Sequence, residues 1–151
     1  MLYHAIVFIH VLSAIVAVGY NATYAVWLAR GSLDRAHLLF ALRGIKFMDD
    51  RIANPAYGLL LLTGIAQVII SHRPWQEAWI EWAIGLWILL VVVAAAFYTP
   101  ALKRQIQIVS ERGPDDPAYG PADRRQTFFG VVLMVIAIVI VALMVFRPGG
   151  S

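Results

Sequence analysis

Apolar positions along this chain gather into four long blocks separated by short polar ones. The blocks cover roughly residues 3 to 28, 55 to 71, 79 to 98 and 127 to 146, and about 20 mostly apolar residues cross a hydrocarbon core of about 30 Å as a helix. The pattern predicts an all-α fold, an up-and-down bundle of four transmembrane helices forming a single domain over residues 1–151. The first block has no basic leading region and no small-x-small cleavage site, so it reads as a retained anchor.

Periodicity gives the segments between the blocks their own structure. From Leu33 to Ile52, Leu38, Ala41, Ile45 and Met48 fall on one arc, and Arg35, Arg43, Lys46, Asp49 and Asp50 are assigned to the other. This is an amphipathic connector between the first two spans, lying on the membrane surface or packing under the bundle. Asn54 before Pro55 offers an N-cap and a first-turn proline for the second span. The third helix should continue through KRQIQIVSER to a stop at Gly113 and Pro114, and Asp123 with Gln126 matches a capping box for the last helix.

Within the first span, Tyr3, His10, Ala14, Ala17, Asn21 and Tyr24 recur every three or four residues with Ser13 beside them, a narrow polar and small-residue stripe. Tyr57, Gly64, Gln67 and Ser71 form a similar stripe on the second, flanked by Gly58 and Thr63. Small residues let helix backbones approach closely and buried amides need partners, so the two stripes should meet. Ser13, Asn21, Thr63, Gly64 and Gln67 are therefore placed in the polar bundle interior. The last span has no polar side chain after Thr127 and is expected to close the bundle and face lipid, with Gly130 on its apolar surface.

Composition agrees with the pattern: 61% of residues are hydrophobic and 14% charged, far from the balance of an ordinary soluble domain. The absence of cysteine excludes disulfides, thiolate metal sites, CxxCH haem attachment and a cysteine nucleophile. The net charge of +3 is spread over loops rather than gathered on one face, which points to lipid headgroups and not to nucleic acid. Ten basic residues flank the first and third connections, and only Arg73 and Arg147 lie on the other side. The positive-inside rule then places the basic loops in the cytoplasm and both termini in the periplasm of a bacterial inner membrane. Trp75, Trp79 and Trp82 would anchor the outer interface.

His10 is the residue with chemistry to offer. At 1.5 Å per residue it lies about 10 Å inside its helix, where an imidazole is a structural hydrogen bonder, a metal or haem ligand, or a group that handles protons or ions. His4, six positions earlier, points about 240° away and cannot share an ion with it. His72 and Met144 sit in the same outward half, so His10, His72 and Met144 form the candidate metal set, His and Met suiting copper and imidazole suiting haem iron.

HVLSAIVAVG in the first span, the connector ending in MDDRIANP, and Thr63-Gly64 in the second resemble a family of bacterial four-helix predicted integral membrane proteins of unknown function. More remotely the layout is similar to the membrane domain of copper-resistance D proteins and to the HemJ-type protoporphyrinogen oxidases, which also carry a histidine in a leading helix. That resemblance implies His10 as the haem or copper residue. GLWILLVVVAAAF lacks the later-span lysine of the HemJ-type proteins, so it implies no oxidase activity. Three functional readings follow: a non-enzymatic membrane protein binding haem b or copper through His10 as an accessory to redox or metal homeostasis; an oligomeric small-solute or ion transporter; and a structural scaffold subunit. Each implies contact with membrane lipid and association into a homo-oligomer or larger membrane complex.

The charge asymmetry predicts that reporters fused after Ser151 or inserted near Pro74 are periplasmic, whereas one inserted at Asp115 is cytoplasmic. Protease protection or reporter activity checks this, and a cytoplasmic C-terminal reporter would refute the four-span topology.

Overall fold

The computed structural model describes residues 1–32 and 34–148; Leu33, at the head of the connector, and Ser151, the reporter fusion point, lie outside them. The described chain is all-helical. It comprises α1 (Leu2–Gly31), α2 (Arg35–Met48), a π-turn at Asp49–Ala53, α3 (Asn54–Ile70), α4 (Ala78–Val93), a second π-turn at Ala94–Tyr98, α5 (Thr99–Glu111) and α6 (Tyr119–Phe146). Four continuous rods, Leu2–Gly31, Arg35–Ile70, Ala78–Glu111 and Tyr119–Phe146, are long and apolar enough to cross a membrane.

The connector is helical and amphipathic but does not lie flat. It is the first part of the second rod, running through the π-turn into α3 and packing under the bundle against α1 and α5. Asn54 therefore caps nothing: its backbone is helical (φ −61°, ψ −46°) and its N–H donates five residues back to Asp49. The third rod repeats this, with Thr99 N–H donating to Ala94 just before Pro100. In both rods the wider turn precedes a proline, whose ring crowds the carbonyl four residues back and which has no N–H to give. The chain absorbs each proline without ending the helix.

α2 starts at Asp34, whose carboxylate accepts the His37 backbone N–H at 2.9 Å, and that bond holds the Asp34 carboxyl below its usual range. α5 extends beyond the apolar block as the sequence implies and stops where Gly113, at φ 95°, turns its N–H back to Ile108. α6 begins earlier than the Asp123–Gln126 box would place it, at Tyr119. Asp123 is consequently inside the helix and accepts from Gln105 Nε2 at 2.9 Å instead of capping.

Packing divides the molecule into two helix pairs, α1 with α3 and α4 with α6, joined at the basic end where α2 meets α5. Tyr24, Leu38, Leu42, Ile45, Tyr98, Leu102 and Val109 form the core there. Leu90, Ile136 and Ala137 make a smaller cluster between α4 and α6. Consecutive in the chain, α3 and α4 do not pack on each other among the described residues. The pairs are joined chiefly at the basic end; toward the other end α1 still meets α6, while α3 and α4 stay apart. Large apolar side chains such as Phe8, Ile15, Leu62, Ile88, Phe128 and Val135 stand outward, the inverse of a soluble surface and the arrangement that lipid solvates.

At the turn between α1 and α2 a Cβ on Gly31 would stand 2.7 Å from Ala41 Cβ and 3.2 Å from the Leu38 backbone, whereas one on Gly44 would meet nothing within 4 Å. Gly31→Ala should therefore cost about 1–3 kcal/mol of stability by overpacking. Gly44→Ala should be neutral or stabilise by up to about 1 kcal/mol through helix propensity. Thermal unfolding in detergent, read by circular dichroism, separates the two.

Candidate functional site between the helix pairs

The first two rods form a long antiparallel hairpin whose register is written in three side-chain pairs. From the tryptophan-rich end toward the basic end, His10 Nδ1 stands 2.8 Å from Thr63 Oγ1, Asn21 Nδ2 donates to Tyr57 Oη at 2.6 Å, and Tyr24 Oη donates to Asp49 Oδ1 at 2.5 Å. The polar stripes of the two spans do meet. Ser13 and Gln67, placed in the same interior, instead bond their own helices, Ser13 to the Ile9 carbonyl at 2.8 Å and Gln67 to that of Thr63 at 3.3 Å.

His10 is buried, and its two nitrogens face different helices. The Thr63 hydroxyl lies within hydrogen-bond reach of both His10 Nδ1 and the Leu59 carbonyl, the latter at 2.7 Å. Nε2 faces Met144 Sδ of α6 at 3.4 Å, a hydrogen bond in which only the imidazole can donate. An imidazole and a thioether, one from each helix pair, thus meet at this point. Gly64 lets α3 come this close, since a Cβ there would lie 3.4 Å from His10 Cε1.

The pair sits in the wall of a cleft of about 600 Å³ between the helix pairs. Val7, Ala14, Leu60, Ile84, Ile140 and Val145 make the lining mostly apolar, Tyr3, Trp75 and Trp79 stand toward the mouth, and Arg73 and Arg147 complete the rim. Trp87 also lines it, and its indole N–H is buried without a partner. His72 is exposed, at φ 51° just past the end of α3, and is not part of the lining. Of the three candidate metal residues the fold thus brings His10 and Met144 together and leaves His72 aside. Among the described residues no group of three or more His, Asp or Glu side chains is assembled to hold a metal.

Three polar residues lie inside the bundle that the sequence pattern did not place there. Asp49, assigned to the solvated arc, turns inward to Tyr24. Its spacing shows why: four residues after buried Ile45, it returns to within about 40° of the same face. Gln105 is fully buried and bonds Asp123 and Tyr119. It shares an apolar stripe with Ala101, Leu102, Ile108 and Val109, a periodicity that marks it as interior. Gln126 is buried as well, near Tyr98. Gly130 is not a free lipid-facing position either, because a Cβ there would approach Tyr98 Cε2 at 3.5 Å.

Gly58 is therefore the appropriate control for Gly64, being on the same helix with nothing within 4 Å of its added Cβ. Gly64→Leu should displace α1 from α3 and lower stability in detergent by about 1–3 kcal/mol, with Gly58→Leu close to wild type. Equal losses would mean that the interface runs elsewhere on α3.

No curated protein and no solved structure matches the chain. Four membrane-crossing rods, a buried histidine at the hairpin seam and a cleft between two helix pairs are features of a chain that, by a match over residues 4–148, belongs to the family described as Predicted integral membrane protein (DUF2269).

Proposed function

We propose that this protein is a haem b carrier of a bacterial inner membrane, holding the iron through His10 and Met144 in the periplasmic half of the bundle. The single observation that supports this reading is the approach of His10 Nε2 to Met144 Sδ at 3.4 Å, which sets an imidazole and a thioether from two helix pairs side by side. The flexible Met144 side chain could turn from the imidazole to a bound iron by a change of rotamer. His10 and Met144 would then hold the haem, and that ligand pair would raise its reduction potential. Thr63 supplies the hydrogen bond on the other imidazole nitrogen that fixes tautomer and ring orientation.

Haem is favoured over a bare copper ion by the cleft itself. One imidazole and one thioether would suffice for either, but the large apolar and aromatic lining suits a macrocycle and would be left unused by a bare ion. The softness of the Met144 sulfur keeps copper as the second reading. A small membrane protein with an imidazole and a thioether at an apolar cleft suits an accessory to redox or metal homeostasis, within a homo-oligomer or a larger membrane complex. The transporter and scaffold readings lack a comparable geometric support.

Purified protein supplied with haem b should show a Soret band that His10→Ala abolishes and that His4→Ala and His37→Ala leave intact. Met144→Ala should retain haem with a five-coordinate spectrum. Thr63→Val should weaken haem binding by roughly tenfold to a hundredfold through the lost orienting bond. A wild type that takes up no haem but binds Cu(I) dependent on His10 would establish the copper reading, and binding of neither would retire both.

A further inference from the structure

We infer that Arg73 and Arg147 form an acid-binding end of the cleft, positioned to hold the two propionate groups of a haem whose macrocycle fills the apolar part. This inference rests on the haem reading of the same cleft. Its starting observation is independent of the ligand pair: these are the two basic residues outside the basic loops, and both line the mouth of one cavity. They come from different helix pairs, Arg73 following α3 and Arg147 ending α6.

Their local geometry is built. Arg147 adopts a left-handed conformation, φ 44° and ψ 56°, which costs a non-glycine residue about 1–2 kcal/mol. The turn directs its guanidinium over the Trp79 ring at 5.6 Å and lets Nε donate to the Met144 carbonyl at 3.3 Å. Among the described residues no carboxylate lies within ion-pair distance of it. Arg73 donates through Nη1 to both Glu77 oxygens, at 3.3 and 3.2 Å, and Glu77 also accepts the Trp79 indole N–H at 2.5 Å. The rim thus carries two guanidinium groups against the single carboxylate of Glu77, which is paired with Arg73.

The spacing suits an amphiphile with its acid groups on one edge. Arg147 is three residues beyond Met144, about 4.5 Å along the helix, and its long side chain adds reach beyond that. The arginines would hold the acid groups while the macrocycle occupies the apolar wall of the same cleft. Planar guanidinium groups suit carboxylates by paired N–H donation. A copper ion carries no such acid groups, so the rim also argues for the porphyrin.

The test titrates wild type, R73Q, R147Q, R73Q/R147Q and R73K/R147K in detergent with haem b and with haem dimethyl ester, whose propionates are esterified. Each single glutamine variant should lose roughly tenfold in affinity for haem b and the double variant on the order of a hundredfold. All variants should bind the ester as wild type does, and the lysine pair should recover part of the loss. A double variant that binds haem b as tightly as wild type overturns the acid-binding end and leaves the cleft reading standing. Equal loss of haem b and ester also overturns it, since the arginines would then support the fold and not the acid groups. Absence of a Soret band in wild type overturns the haem reading itself, and this inference with it.

Discussion

Inside a bilayer there is no water to satisfy a polar side chain, so each one must find a partner on another helix or on its own backbone. That constraint sets the register of the hairpin on which everything else is built. His10 to Thr63, Asn21 to Tyr57 and Tyr24 to Asp49 run in antiparallel order, and sliding α1 by one turn would strand all three pairs in an apolar medium. Interhelical hydrogen bonds in membranes are individually modest, on the order of 0.6 kcal/mol, so the pairs act chiefly by excluding alternative registers. Van der Waals contact, made close by Gly31 and Gly64, supplies the attraction.

The two π-turns extend this logic to the ends of the spans. Each precedes a proline that would otherwise break the rod, and each shifts the phase of the helix before it enters the packed basic end. There the extensions α2 and α5 pack together and bury Leu42, Leu102 and Val109 completely. The molecule is thus clamped beyond the apolar blocks, where packing side chains removes them from water. Toward the opposite ends, which face lipid, the pairs meet only between α1 and α6, and the cleft lies beside that contact.

The cleft places its chemistry where a low dielectric makes it strong. An imidazole bonded to Thr63, a thioether from another helix pair, an unpaired Trp87 N–H and a cationic rim converge on one volume. None of these groups needs a partner from the basic end, so the clamp and the cleft are structurally separable. The Tyr24–Asp49 bond and the buried Gln105 belong to the clamp, where polar groups specify how α1, α2, α5 and α6 fit together.

The sequence by itself determined the membrane class, the four rods, the polar seam of the first hairpin and the singular position of His10. These are properties of one helix at a time, and the 3.6-residue period exposes them directly. The inward turn of Asp49 and the burial of Gln105 were equally legible as periodicity, though charge and amide character pointed the other way. Only the tertiary structure decided that Met144 rather than His72 faces His10, that Asp123 serves Gln105 and not a helix cap, and that Arg73 and Arg147 share a rim. Those outcomes depend on which helix neighbours which and at what angle. Helix periodicity carries no information on that, because the lipid-facing and partner-facing sides of an apolar span are composed of the same residue types.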